Sequence, residues 1–139
     1  MTNPEQAAVA ALLLRLALGV MFLAHAWVKV KVFTPSGTAQ FFKSLGLPGE
    51  LAYLTMAAEI VGGVLLILGI ETRWVALALV PLMLGTIVLV HGKAGWLFTN
   101  KDGGWEYPAF WIVGLFSLAL LGDGAAVSRH PAQGSRRVT

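Results

Sequence analysis

The stretch LAYLTMAAEIVGGVLLILGIETRWVALALVPLMLGTIVLV, residues 51–90, decides the fold class. Its only charged residues are Glu59, Glu71 and Arg73. On either side of Glu71-Thr72-Arg73 stands an apolar run of about 20 residues, the length a helix needs to cross a bilayer. One span is expected at about Leu51 to Ile70 and the next at about Trp74 to Val90. So short a connection makes them a tight antiparallel hairpin. Pro81 lies inside the later span and cannot donate to the carbonyl of Leu77, so a kink is expected there.

Outward from this hairpin the pattern repeats. A first span runs from about Ala7 to Val30, and a fourth from near Tyr107-Pro108, where Pro suits a first turn, to Leu121-Gly122. The composition agrees: of 139 residues 57% are hydrophobic and 12% charged, whereas a soluble domain is about one-quarter charged. A soluble domain is excluded, and four helices leave no length for a second domain. Cysteine is absent, which excludes disulfides, thiol nucleophiles and cysteine-held iron–sulfur clusters. The net charge of +3 suits lipid headgroups on so apolar a chain better than nucleic acid. The expected fold is therefore an all-α integral membrane protein, an antiparallel four-transmembrane-helix bundle. Residues 1–124 form its single domain and 125–139 a short basic polar tail, and the chain from Asp123 onward is expected to fray.

The connection between the first two spans reads as more than a loop. Thr34-Pro35 is an N-cap followed by Pro at the first helical position, and Gly46 is a stop. Between them Phe41, Phe42 and Leu45 share a face, as in a short helix lying at the membrane surface or re-entering it. Trp27, Trp74, Trp96, Trp105 and Trp111 lie at or near span ends, as an aromatic belt does. Ala24-His25-Ala26 has the look of a signal cleavage site, but the apolar stretch before it is long and carries Arg15. Four spans put both termini on one side with Arg73, and Lys43 and Lys101 on the other. The basic residues are nearly balanced, and the terminal amine with Arg136 and Arg137 tips the termini toward the cytoplasm.

Charged groups inside spans are costly and mark function by default. Arg15 lies a third of the way along the first span and Glu59 near the middle of the second. At 1.5 Å rise per residue their depths differ by roughly 7 Å, within the reach of an arginine, so an Arg15–Glu59 ion pair is expected. Separate satisfaction, with Arg15 snorkelling and Glu59 protonated, is the alternative. Toward the other face each helix delivers one titratable group: His25, Glu59, His91 and Glu106. Taken singly, each histidine fits an interfacial side chain bonded to water or a carbonyl. Together the four suit a proton-handling pocket for a quinone-like head group. Phe22, Trp27, Trp96 and Tyr107 would wall it, with Lys29 favouring an anionic head.

A metal site is disfavoured, since the sequence has no Glu-x-x-His pair and Glu59 lies deeper than His25. Haem between His25 and His91 leaves little protein to enclose the porphyrin. No intrinsic cofactor is expected, and any turnover would need a partner carrying the redox centre. Gly19, Gly62 and Gly63 suit close helix approach. Arg15, Gly19, Phe22, Ala26 and Lys29 form one stripe, with His25 on its flank.

Leu14-Arg15-Leu16-Ala17-Leu18-Gly19, with Phe22, His25 and Lys29, resembles the opening of the DoxX family. So do Phe41-Phe42-Lys43-Ser44-Leu45-Gly46-Leu47-Pro48, Ala58-Glu59-Ile60-Val61-Gly62-Gly63, Leu68-Gly69-Ile70-Glu71-Thr72-Arg73 and Gly104-Trp105-Glu106-Tyr107-Pro108. The resemblance covers about Leu12 to Gly124 and rests on the order and spacing of these motifs. Arg15, His25, Lys29, Glu59, Glu106 and Tyr107 match the family pattern, His91 more loosely. Ala26 departs from it, since the family usually has Gly after the histidine. The resemblance implies a four-helix, multi-pass inner-membrane protein. Its relatives include the small membrane subunit of thiosulfate:quinone oxidoreductase. Others are implicated in assembling or protecting redox complexes, one of them with superoxide dismutase and a sulfurtransferase in mycobacteria. The expected function is a membrane subunit of a redox complex with a quinone-facing or proton-handling pocket. A non-catalytic scaffold or assembly factor is the alternative, and a small transporter or channel comes last for want of a continuous polar path. The partners implied are the bilayer, a protein carrying a redox centre and a second copy of the chain.

Overall fold

The computed structural model describes residues 3–127, and among these it is all helical, with no strand. Helix α1 spans Pro4–Trp27, α2 Pro35–Ser44, α3 Glu50–Leu68, α4 Thr72–Leu89 and α5 Glu106–Leu121. A π turn, Val28–Val32, prolongs α1, and a 3₁₀ turn, His91–Ala94, follows α4. With its π turn α1 is long and apolar enough to cross a membrane, and so are α3 and α4. Helix α5 is as apolar but shorter, at 16 residues.

Local chemistry sets these boundaries. Asn3 caps α1 by accepting from the Glu5 N–H at 2.9 Å, with Pro4 at the first position. Thr34 caps α2 in the same way, its hydroxyl accepting from the Gly37 N–H at 3.1 Å. Helix α3 ends at Gly69, whose φ of +70° lets Ile70 N–H bond back to the Leu65 carbonyl and Gly69 N–H to that of Leu66. Helix α4 continues through Pro81.

The helices close on one another in a ring, with α1 against α3 and α5, and α4 against α3 and α5. The expected stripe on α1 is the buried one: Arg15, Gly19, Phe22 and Ala26 all face inward. Helices α1 and α3 cross at Gly19 and Gly63, where a methyl on either glycine would come within 3 Å of the other's carbonyl oxygen. Any larger residue there forces the helices apart. The main core gathers Leu18, Phe22, Leu66, Leu79, Trp111, Leu115 and Leu118. A smaller one holds Ala39, Ala52 and Met56, with Phe42 of α2 packed against it.

One end of the molecule is tied shut. Arg15 donates to the carbonyls of Asp123 and Ala126, and Arg73 Nε to that of Ala119 at 3.0 Å. Asp123 Oδ1 accepts the Thr72 N–H at 3.1 Å, and Ala125 N–H bonds to the Ala8 carbonyl. The start of α1, the α3–α4 turn and the end of α5 therefore meet. The fraying expected from Asp123 onward does not hold for residues 123–127, which these bonds fasten. The rest of the basic tail, 128–139, lies outside the described residues.

Candidate functional site

At the opposite end lies a cavity of about 1010 Å³. The last turns of α1, the face of α2, the first half of α3 and the second half of α4 enclose it, with His91, Tyr107 and Trp111. Phe41, Phe42 and Leu45 share a face as expected, and that face lines the cavity. The walls are mostly apolar, and the polar groups form three sets.

The first is an ion pair. Lys29 Nζ donates to both oxygens of Glu59, at 2.8 and 3.1 Å. Glu59 is buried and Lys29 half-buried. Lys29 sits in the π turn, and the hydroxyl of Thr38 of α2 lies 3.1 Å from the Lys29 carbonyl and 2.9 Å from that of Thr34, its one hydrogen shared between them. Such turns recur at functional sites. An ammonium has three N–H donors, and the carboxylate uses two, so one is left for a ligand.

The second set is His91 with Tyr107. Nδ1 of His91 lies 2.8 Å from the Gly103 carbonyl, which only accepts, so Nδ1 carries the hydrogen. In the neutral ring Nε2 is then the acceptor, and Tyr107 donates to it at 2.9 Å. Protonating Nε2 reverses that bond without moving either ring, and the tyrosine hydroxyl is then free to donate elsewhere. The third set is His25, whose Nδ1 bonds the Met21 carbonyl at 2.9 Å. Its Nε2 has no partner among the described residues. The ring stands edge-on to Trp111, centroids 4.8 Å apart.

Several expectations are corrected. The Arg15–Glu59 pair does not form. Glu59 lies four residues from the Gly19–Gly63 crossing on the side of Lys29, and Arg15 lies four residues beyond it on the other. By helical rise that separates Arg15 from Glu59 by roughly 12 Å. Arginine takes backbone carbonyls at its own end instead. Glu106 and Trp96 do not line the cavity. Trp96 pairs edge-on with Trp105 at 4.6 Å, in the loop that precedes Glu106. Phe22 and Trp27 are absent from the wall too: Phe22 is in the core, and Trp27 faces outward. His25, Lys29, Glu59, His91 and Tyr107 do line it.

Trp111 was expected in an aromatic belt but is only 3% exposed, packed against Phe22 and His25. Its indole N–H is buried without a partner among the described residues. Its position one turn after Tyr107 was the available signal, since residues four apart share a helix face. Among the described residues no three of His, Cys, Asp and Glu gather as metal ligands.

The DoxX family model matches residues 10–92. The chain belongs to the DoxX family. It is 35% identical over 115 residues to the Bacillus subtilis protein named "Putative oxidoreductase CatD", covering 83% of this chain and 81% of that one. It is 32% identical over 121 residues to the Escherichia coli "Inner membrane protein YphA", covering 82% and 84%. A second E. coli protein, "Inner membrane protein YqjF", is 30% identical over 85 residues, covering 61% of this chain and 64% of that one. No solved structure matches at a significant level. With its long apolar helices, this DoxX protein is a protein of the inner membrane in contact with lipid.

Proposed function

We propose that this chain is the membrane subunit of a redox complex and that its cavity receives the head group of a quinone. The observation that carries the reading is the Lys29–Glu59 pair set in a mostly apolar cavity. Two charges in such surroundings are costly unless satisfied, and Lys29 keeps one N–H that the carboxylate does not take. A quinone offers one carbonyl oxygen to Lys29 and the other to Tyr107, whose hydroxyl can donate to it once His91 Nε2 carries a proton, and its ring fits between aromatic and aliphatic walls. His91, behind Tyr107, and His25 would take or return the protons that accompany reduction and oxidation. Glu106, outside the cavity, has no part in this scheme. The electrons come from a partner protein bearing the redox centre. The oxidoreductase name of the Bacillus relative supports a redox setting.

The same proposal makes α5 a fourth span, with 1–124 one four-helix domain, both termini cytoplasmic and α2 at the membrane interface. At about 24 Å, α5 is shorter than a hydrocarbon core of about 30 Å. Its outer face is nevertheless apolar, with Phe110 77% and Leu120 84% exposed, as lipid contact requires. Because the chain has no cysteine, single cysteines at 43 and 73 can be labelled without background. They should react from opposite sides.

The functional reading is tested by gentle solubilisation and extraction. Quinone retained in stoichiometric amount supports it, and a chain recovered free of quinone that also fails to bind added quinone defeats it. The second outcome would favour a scaffold, for which the exposed Trp96, Leu97 and Phe98 offer a contact surface.

A further inference from the structure

The cavity has an open side. On α3, Leu51, Leu54 and Ala58 lie on one face and line the cavity, and that face continues to Gly62. At Gly62 the gap closes: a methyl there would come within 2.9 Å of Leu79 Cδ1 on α4. On the far side of Pro81, away from the α3–α4 turn, Leu82, Gly85 and Leu89 line the cavity from α4. A methyl added to Gly85 would meet nothing within 4 Å. Leu54 and Leu89 belong to the cavity wall and are also 65% and 37% exposed, so the same side chains are reached from inside and from outside.

A slot therefore runs between α3 and α4 from the cavity to the exterior, sealed at the Gly62–Leu79 end. Around two membrane-crossing helices that exterior is hydrocarbon. The slot is lined mainly by leucine, alanine, proline and glycine, with Thr55 and Thr86 beside them, while the charged and imidazole groups stand at its inner end. This is the shape of a site for an amphiphile with a small polar head and a long apolar chain.

We propose that the ligand of this cavity is a prenylated, lipid-soluble quinone that enters sideways from the bilayer, its chain remaining in the α3–α4 slot. The proposal rests on the quinone reading above and adds the source of the ligand and the seat of its chain. Transfer of the chain from lipid to the slot gains little hydrophobic energy, because hydrocarbon is as apolar as leucine. The head group then sets affinity, and the slot selects by space.

That division can be measured. Gly85→Leu places a side chain in the gap, its Cβ meeting nothing within 4 Å, and leucine favours the helix more than glycine does. Leu54→Trp narrows the slot from the opposite wall and guards against failure of the first variant to fold. Each is titrated with a decyl-substituted benzoquinone and with the same benzoquinone lacking the chain. The expected result is that the affinity of the long-chain compound falls about tenfold relative to the tail-less one, as overfilling a fitted space does. An unchanged ratio in both folded variants overturns the slot while leaving the head-group site standing. An unchanged ratio accompanied by loss of tightly retained phospholipid overturns it in favour of an ordinary bilayer lipid. Failure of the wild type to bind either compound refutes the quinone reading itself.

Discussion

The two ends of this molecule use cations in opposite ways. At the end where α1 begins, Arg15 and Arg73 are spent on backbone carbonyls of α5 and the residues that follow it, and Asp123 on the first N–H of α4. Every one of these bonds joins one chain segment to another. At the cavity end Lys29 faces a carboxylate, Tyr107 faces His91, and each pair keeps a donor or acceptor for a third group. Carbonyls do not titrate and cannot leave, so the first end is a fastening. Carboxylate, imidazole and phenol change their protons and their partners, so the second end can do chemistry. Burial alone does not separate the two, since Arg15 and Glu59 are equally hidden.

Breaking the ion pair at the cavity end should have the largest effect. Glu59→Gln leaves the Lys29 ammonium without its counter-charge, at a cost of about 3–5 kcal/mol, toward the lower figure because Lys29 is partly wet. Lys29→Met combined with Glu59→Met should recover much of this in unfolding measurements in detergent. Strictly additive losses would mean that the two groups do not meet. Arg15→Met, at the fastened end, should cost about 2–3 kcal/mol by stranding two buried carbonyl acceptors. Combined with Glu59→Gln its effect should add to within about 0.5 kcal/mol, as for distant sites. Coupling between them would restore the pair that the sequence suggested. Tyr107→Phe should have the smallest effect, about 1 kcal/mol for one neutral hydrogen bond. Nitrogen NMR should then find Nδ1 of His91 still protonated and Nε2 relieved of its donor. A switch of tautomer would contradict the Gly103 bond.

Much of this was legible in the residues, because it depends on patterns that physics reads locally. Hydropathy runs marked α1, α3, α4 and α5. Thr34-Pro35 and Gly46 marked α2, and Gly19 with Gly63 marked the helix crossing. The partners of the charged groups were harder to read. Arg15 bonds to carbonyls, which every residue carries, so no side chain pointed to them. Lys29 was placed on the correct stripe, yet its pairing depends on which side of the crossing Glu59 falls, and hydropathy does not fix that register. The cavity exists because α3 and α4 part beyond Gly62 and Leu79, a property of two helices together. Glu106 fitted the pattern of titratable groups by position in sequence, but the Trp96–Trp105 loop sets it apart from the cavity.

The central claim is that the Lys29–Glu59 end receives a quinone head. It is tested most directly by equilibrium titration of a short-tailed quinone into the wild type and into the Lys29→Met/Glu59→Met variant, both shown to be folded. The wild type should bind, and the variant should bind with an affinity lower by roughly 5- to 150-fold, as expected for loss of a buried hydrogen-bond partner. Equal affinity in the two proteins would contradict it.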